Sequence, residues 1–181
     1  MENISERFMR YARIDTQSDE NSTTCPSTNK QFILAKLLAR ELSDMGVTRV
    51  DIDGNGYLFA AIASNAGGNL PSIGFIAHLD VSSDAPSENV KPNYVKNYDG
   101  GDIVLNQDKN IVMRVSDFPE LSRYIGHDII TSDGTTLLGA DDKSGIAAIM
   151  YMVDYVQSHP DFKHGNIKIA FTDRKSTRLN S

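Results

Sequence analysis

A chain of 181 residues, 40% apolar and 23% charged, has the composition of a globular protein with one hydrophobic core, which excludes disordered and collagen-like chains. Its net charge of −6 speaks against nucleic acid as a partner, because phosphate backbones are bound by clustered Lys and Arg; a metal ion or a cationic small molecule suits the balance better. No basic N-terminal segment runs into an apolar one, no stretch is long enough to span a membrane, and the single cysteine, Cys25, fits a reducing compartment; the expected location is cytoplasmic, without a membrane partner.

In chain order, Ile4, Phe8 and Tyr11 recur at helical spacing, and DTQS after them reads as a turn. Phe32, Ala35, Leu38, Leu42 and Met45 mark an amphipathic helix, with Ser27 and Thr28 as candidate N-caps and Gly46 as its stop. The two β-rich runs of VTRVDIDGNGYLFAAIA flank Asp53-Gly54-Asn55-Gly56 and predict a hairpin, since Gly and Asn tolerate the positive φ of tight turns. SIGFIAHLD is apolar on both faces, as expected of a strand covered on both sides within an α/β sheet.

Residues 82–130 are poorly periodic and broken by Pro86, Pro92, Gly100, Gly101 and Pro119, with short strands expected near 102–105 and 128–131. A stretch this long within a compact domain carries function or small elements of its own. SGIAAIMYMVDYVQSH predicts a largely apolar helix packed on the sheet, and GNIKIAFT a strand with Ile167, Ile169 and Phe171 on one face. Strand, helix and strand in this order predict an α/β layer fold.

Two patterns can carry chemistry. His78 and Asp80 stand two residues apart at the end of the apolar strand, which places both side chains on one face. A metal-bound imidazole gives its other ring N–H to a carboxylate, and Asp80 is placed to be that partner; the same two residues also suit a strand end facing solvent. Asp141 and Asp142 precede the apolar helix, where two acids serve as ordinary capping groups or as answers to a cation. A strand-end His and a carboxylate on a separate loop together form a plausible set of first ligands for zinc, and a carboxylate can bridge two metals. His127, His159 and His164 lie in polar loop or helix-end contexts and are expected to be solvated, and Cys25 to be a small, partly buried side chain. GxGxxG, P-loop, GxSxG and HExxH patterns are all absent.

ERFMRYARIDTQS, PST, IGFIAHLDVSSDAP, NYDGGDIVL, ITSDGTTLLGADDKSGIAAIM and HGNIKIAFT, in this order and spacing, resemble the di-zinc exopeptidases, and among them the tripeptide aminopeptidases, over roughly residues 1–172. The resemblance implies an incomplete zinc-exopeptidase catalytic domain, α/β, with a mixed sheet flanked by helices. It implies two Zn2+ ions, His78 as a ligand of one, Asp80 as the carboxylate that orients His78, Asp141 as the bridging ligand and Asp142 as a neighbour. The implied reaction is removal of the N-terminal residue from a short peptide. A pair of glutamates following AFT, then an Asp and a His, would complete such a site, and an inserted lid domain would help to bind the peptide.

After Thr172 the chain reads DRKSTRLNS, without the glutamate pair. A widely used sequencing adapter translates to this string in one frame, so residues 173–181 are expected to be non-native. Residues 1–172 are then the first part of a catalytic domain without its lid domain and second half, with little or no activity alone. GNIKIAFT is expected to be an exposed, aggregation-prone edge strand. Two other readings stand beside this one: a related dipeptidase or carboxypeptidase, and a non-enzymatic α/β binding module in which Asp141 and Asp142 merely cap a helix.

Overall fold

The computed structural model describes residues 2–173; positions 174–181, most of the stretch read as non-native, lie outside the described residues. Helix α1 (Ile4–Ala12) opens on Asn3, whose side chain accepts from Ser5 N at 2.8 Å, and buries Phe8, Tyr11 and Ala12. Helix α2 (Gln31–Asp44) buries Gln31, Leu34, Ala35, Leu38 and Leu42. Gly46, at φ +90°, ends it as expected, with Val47 N donating to Leu42 O at 3.0 Å.

The two expected caps of α2 do other work. The helix starts at Lys30 without a side-chain cap. The Ser27 hydroxyl instead accepts from Asp19 N at 3.2 Å, and the Thr28 hydroxyl donates to Gln17 O at 2.7 Å. Both hydroxyls are thereby tied to residues 17–19, and Ser27 Oγ also accepts from Gln31 Nε2 at 3.2 Å.

Strands β1 (Arg49–Ile52) and β2 (Leu58–Ile62) form the expected hairpin, its turn held by Asp53 Oδ1, which accepts from Asn55 N and Tyr57 N. With β3 (Ile73–His78) and the last strand, β8 (Ile167–Thr172), they make a sheet of order β1-β2-β8-β3, antiparallel except for the β8–β3 pair. Helix α3 (Ala140–Ser158) crosses between β3 and β8. The apolar sides of all three helices join Leu58, Ala60, Ile62, Ala77, Ile167, Ile169 and Phe171 in one core.

Two expectations are corrected here. GNIKIAFT is an interior strand paired on both sides, not an edge. SIGFIAHLD is not covered on both faces: β3 is the edge strand, and Ile73 and Ile76 are 54% and 72% exposed. An apolar pattern records which residues avoid water, not which neighbour covers them. Among the described residues nothing covers the face opposite the helices, where Phe59 and Ile76 are exposed.

The stretch between β3 and α3 carries small elements of its own. Strands β4 (Asn93–Val95) and β7 (Ile129–Thr131) pair, as do β5 (Ile103–Asn106) and β6 (Ile111–Met113), around a minor core of Tyr98, Ile103 and Leu121. Asp173, just past β8, is buried, and its carboxylate accepts from Ser27 N at 3.0 Å.

Candidate metal site

Parallel β3 and β8 end at the same edge of the sheet, where the crossover returns through α3, and this is where open α/β sheets place their ligands. His78 is the last residue of β3, and Leu79 N prolongs the pairing by donating to Thr172 O at 2.7 Å. Asp80 follows, 5% exposed. Its backbone carbonyl lies 2.9 Å and its Oδ1 3.2 Å from His78 Nδ1. The expected His–Asp couple is therefore present, with the carbonyl as the nearer acceptor and the carboxylate beside it.

Asp141 reaches the same histidine from the opposite side. Gly139 at φ +74° turns the chain, and Asp141 and Asp142 keep non-helical backbone angles before the helix proper begins. Asp141 Oδ1 stands 3.0 Å from His78 Nε2. The carboxylate of Asp142 turns back to accept from His78 N at 3.3 Å. A Cβ on Gly145 would lie 2.2 Å from Asp142 Oδ1, so that carboxylate can fold back only over a glycine. The two adjacent acids thus have different partners: one meets the imidazole ring and the other the main chain of β3.

Burial alone would lower the pKa of His78, but the carboxylates of Asp80 and Asp141 outweigh it and push the imidazole up to about 9. The imidazolium so favoured donates Nδ1–H to Asp80 and Nε2–H to Asp141. A metal cation would take the place of the second proton, leaving Nδ1–H to fix the tautomer. Two ligand atoms on a tetrahedral zinc, each about 2.0–2.1 Å from it, lie about 3.3 Å apart, so the observed spacing of 3.0 Å fits a His–carboxylate pair on one ion. Among the described residues no group of three or more His, Cys, Asp or Glu is arranged to hold a metal. The pair opens into a cleft bordered by Ser18, Glu20, Ser82 and Asp84.

The other histidines stay apart from this cleft. His159 stacks on Tyr155 at 4.1 Å, His127 meets Tyr124 edge-on, and His164 Nδ1 lies 2.7 Å from Gly165 O. Sequence reasoning passed over two features. DTQS is a clasp as well as a turn: Val81 N donates to Thr16 O and Ser18 N donates to Val81 O, directly after Asp80. Lys143 is fully buried beneath the Asp141 turn, and a lysine between a pair of acids and an apolar helix was the available signal.

No family model matches the chain. Peptidase T of Clostridium acetobutylicum is 55% identical over 172 residues, covering 95% of this chain and 42% of that protein. Over the matched residues the chain is similar to peptidase T. It spans less than half the length of the curated peptidase T relatives it matches. Among solved structures, aminopeptidase PepT from Bacillus cereus aligns with a TM-score of 0.64 at 23% identity, over 98% of this chain and 37% of that one. A tripeptidase from Staphylococcus aureus aligns with a TM-score of 0.63 at 21% identity, over 97% and 37%. These likenesses carry the fold, an α/β domain with a mixed sheet and helices, as the resemblance to the di-zinc exopeptidases implied. No helix among the described residues is long and apolar enough to cross a membrane.

Proposed function

We propose that this chain is the first part of the catalytic domain of a cytoplasmic peptidase T-like metalloaminopeptidase that removes the N-terminal residue from tripeptides. His78 and Asp141 would be two of its zinc donors, with Asp141 the donor shared by both Zn2+ ions, and Asp80 would orient His78. The observation that carries this reading is the convergence of His78 Nε2 and Asp141 Oδ1 to 3.0 Å from separate elements at one cleft. A helix-capping role for Asp141 does not call for that approach.

Zinc held there would supply Lewis-acid polarisation of the scissile carbonyl and of the attacking water. The chain's own contribution is orientation. Asp80 holds the ring by Nδ1, and Asp142 holds the main chain of His78, so Nε2 keeps one direction. A short peptide is the substrate, with no nucleic acid or membrane involved. The donors assigned here number fewer than the three protein ligands of an ordinary catalytic zinc, so the 181-residue chain has little or no turnover alone. Residues 173–181 read, by their sequence, as a non-native tail.

The test is to join residues 1–172 to the remaining sequence of the Clostridium acetobutylicum relative and assay tripeptide hydrolysis. Turnover that is lost together with zinc in His78→Ala and Asp141→Ala supports the reading. A folded chimera that neither binds zinc nor cleaves tripeptides overturns it, as does turnover by the 181-residue chain at ordinary enzyme rates for the claim that it is inactive alone.

A further inference from the structure

We propose that Lys143 is a positioning residue of this metal site, its buried ammonium tying the turn that carries Asp141 to the segment that holds Asp80. The inference rests on the zinc reading above. Lys143 is 1% exposed, and its Nζ donates to the carbonyl of Ile14 at 2.6 Å. An ammonium is costly to bury, and Ile146, Ala147 and Met150 show that this helix elsewhere fills the core with apolar side chains.

Ile14 begins a segment that is tied at nearly every residue. Asp15 receives Ser87 Oγ at 2.7 Å and Lys30 Nζ at 2.5 Å. Thr16 O accepts from Val81 N at 3.2 Å, Gln17 Nε2 donates to Ala85 O at 2.8 Å, and Ser18 N donates to Val81 O at 3.0 Å. Val81 directly follows Asp80, so the segment fixes where Asp80 stands. At the other end, Lys143 N donates to Gly139 O at 3.3 Å and closes the turn that contains Asp141. The pieces are packed closely: a Cβ on Gly139 would lie 3.1 Å from Val81 Cγ1 and 3.6 Å from Lys143 Nζ.

Lys143 therefore spans the gap between the two sides of the His78 ring. One side is Asp80, held through residues 14–18; the other is Asp141, on the turn that Lys143 closes. Without the ammonium, the Ile14 carbonyl loses its donor and the Asp141 turn is free to shift against Asp80. Metal affinity falls while the core, which gains an apolar side chain in place of a charge, stays folded.

The test compares the 181-residue chain with Lys143→Met, following the His78 ring nitrogens by NMR and titrating with zinc chloride. A Lys143→Cys variant in a Cys25→Ser background, aminoethylated to restore an ammonium at the same reach, provides the rescue. The expected result is cooperative unfolding in all three, zinc binding about tenfold weaker in Lys143→Met, the range found for residues that orient ligands, and recovery on aminoethylation. Unchanged zinc affinity with unchanged His78 signals overturns the proposal. So does loss of folding in Lys143→Met that aminoethylation repairs without a difference in zinc affinity, which would make the lysine a core residue only. If the parent chain shows no zinc-dependent shift of His78, its two donors do not hold the ion without the remaining ligands, and zinc binding by the chimera described above decides the metal reading. In that case, metal-free His78 signals that move in Lys143→Met and return on aminoethylation uphold the positioning role, and signals that stay fixed overturn it.

Discussion

His78 Nε2 and Asp141 Oδ1 lie 3.0 Å apart although 63 positions separate them in the chain. With its imidazole pushed up to about 9 from an ordinary 6.5, His78 carries a proton in the metal-free protein at neutral pH. A folded-state pKa above the unfolded one stabilises the fold while the group is charged. That contribution is complete below about pH 6.5 and is lost as pH rises through about 9. The expected NMR titration midpoint of His78 is near 9, and His78→Ala removes this part of the pH dependence of thermal unfolding; a midpoint near 6.5 contradicts the geometry. Zinc has to displace the same proton, so zinc binding should tighten as pH rises towards 9.

Lys143 gives a dependence of the opposite sign. Burial lowers its pKa to about 8 from 10.5. Between those values the unfolded chain holds a proton that the folded chain has released, so stability from this group rises with pH across the window and is flat below it. Lys143→Met should abolish the rise while leaving stability at pH 7 no lower than that of the parent. Chemical unfolding of both proteins at pH 7, 9 and 10 measures it, and an unchanged slope in the variant would remove Lys143 as its source.

Gly145 sits inside α3, where alanine ordinarily helps a helix by about 1 kcal/mol. Here the added Cβ would lie 2.2 Å from Asp142 Oδ1. The expected sign is therefore reversed: Gly145→Ala destabilises by about 1–3 kcal/mol, the usual cost of overpacking, and breaks the Asp142 contact to His78 N. Gly67→Ala, with nothing within 4 Å of its Cβ, is the control and should change stability little.

Arg7 is buried between three elements, its guanidinium 2.8 Å from Asp154 Oδ2 and 3.4 Å from Glu41 Oε2. Tyr11 donates to Glu41 at 2.5 Å, and Arg10 pairs with the same carboxylate. Removing one partner of a buried pair leaves the other uncompensated, at a cost of about 3 kcal/mol or more. Arg7→Met should lower the unfolding midpoint accordingly in urea, and a loss within error of zero would assign the junction of α1, α2 and α3 to apolar packing alone.

The uncovered sheet face makes a prediction about solution behaviour. Ile76 is 72% exposed on edge strand β3, and exposed apolar edges associate. Ile76→Lys should reduce self-association in light scattering with little change in stability. Equal scattering from both proteins would show that another surface drives association.

By itself the sequence determined the helices, the hairpin and the apolar strands, because helical spacing, turn residues and alternation are local consequences of backbone geometry. It also marked His78, Asp80 and Asp141, since a strand-end His with an Asp two residues on and an acidic pair before a helix are local patterns. Strand neighbours were not legible there. GNIKIAFT became interior and SIGFIAHLD an edge because pairing is decided between segments remote in the chain, and an apolar residue does not name what will cover it. Only the tertiary structure turned Ser27 and Thr28 from caps into ties, made DTQS the clasp that holds Val81, and gave the two adjacent acids, already told apart by the resemblance, their separate partners. Gly145 leaves room for Asp142 to bind the main chain of His78, while Asp141 faces the ring. Those roles depend on directions and distances across the fold, which no spacing along the chain encodes.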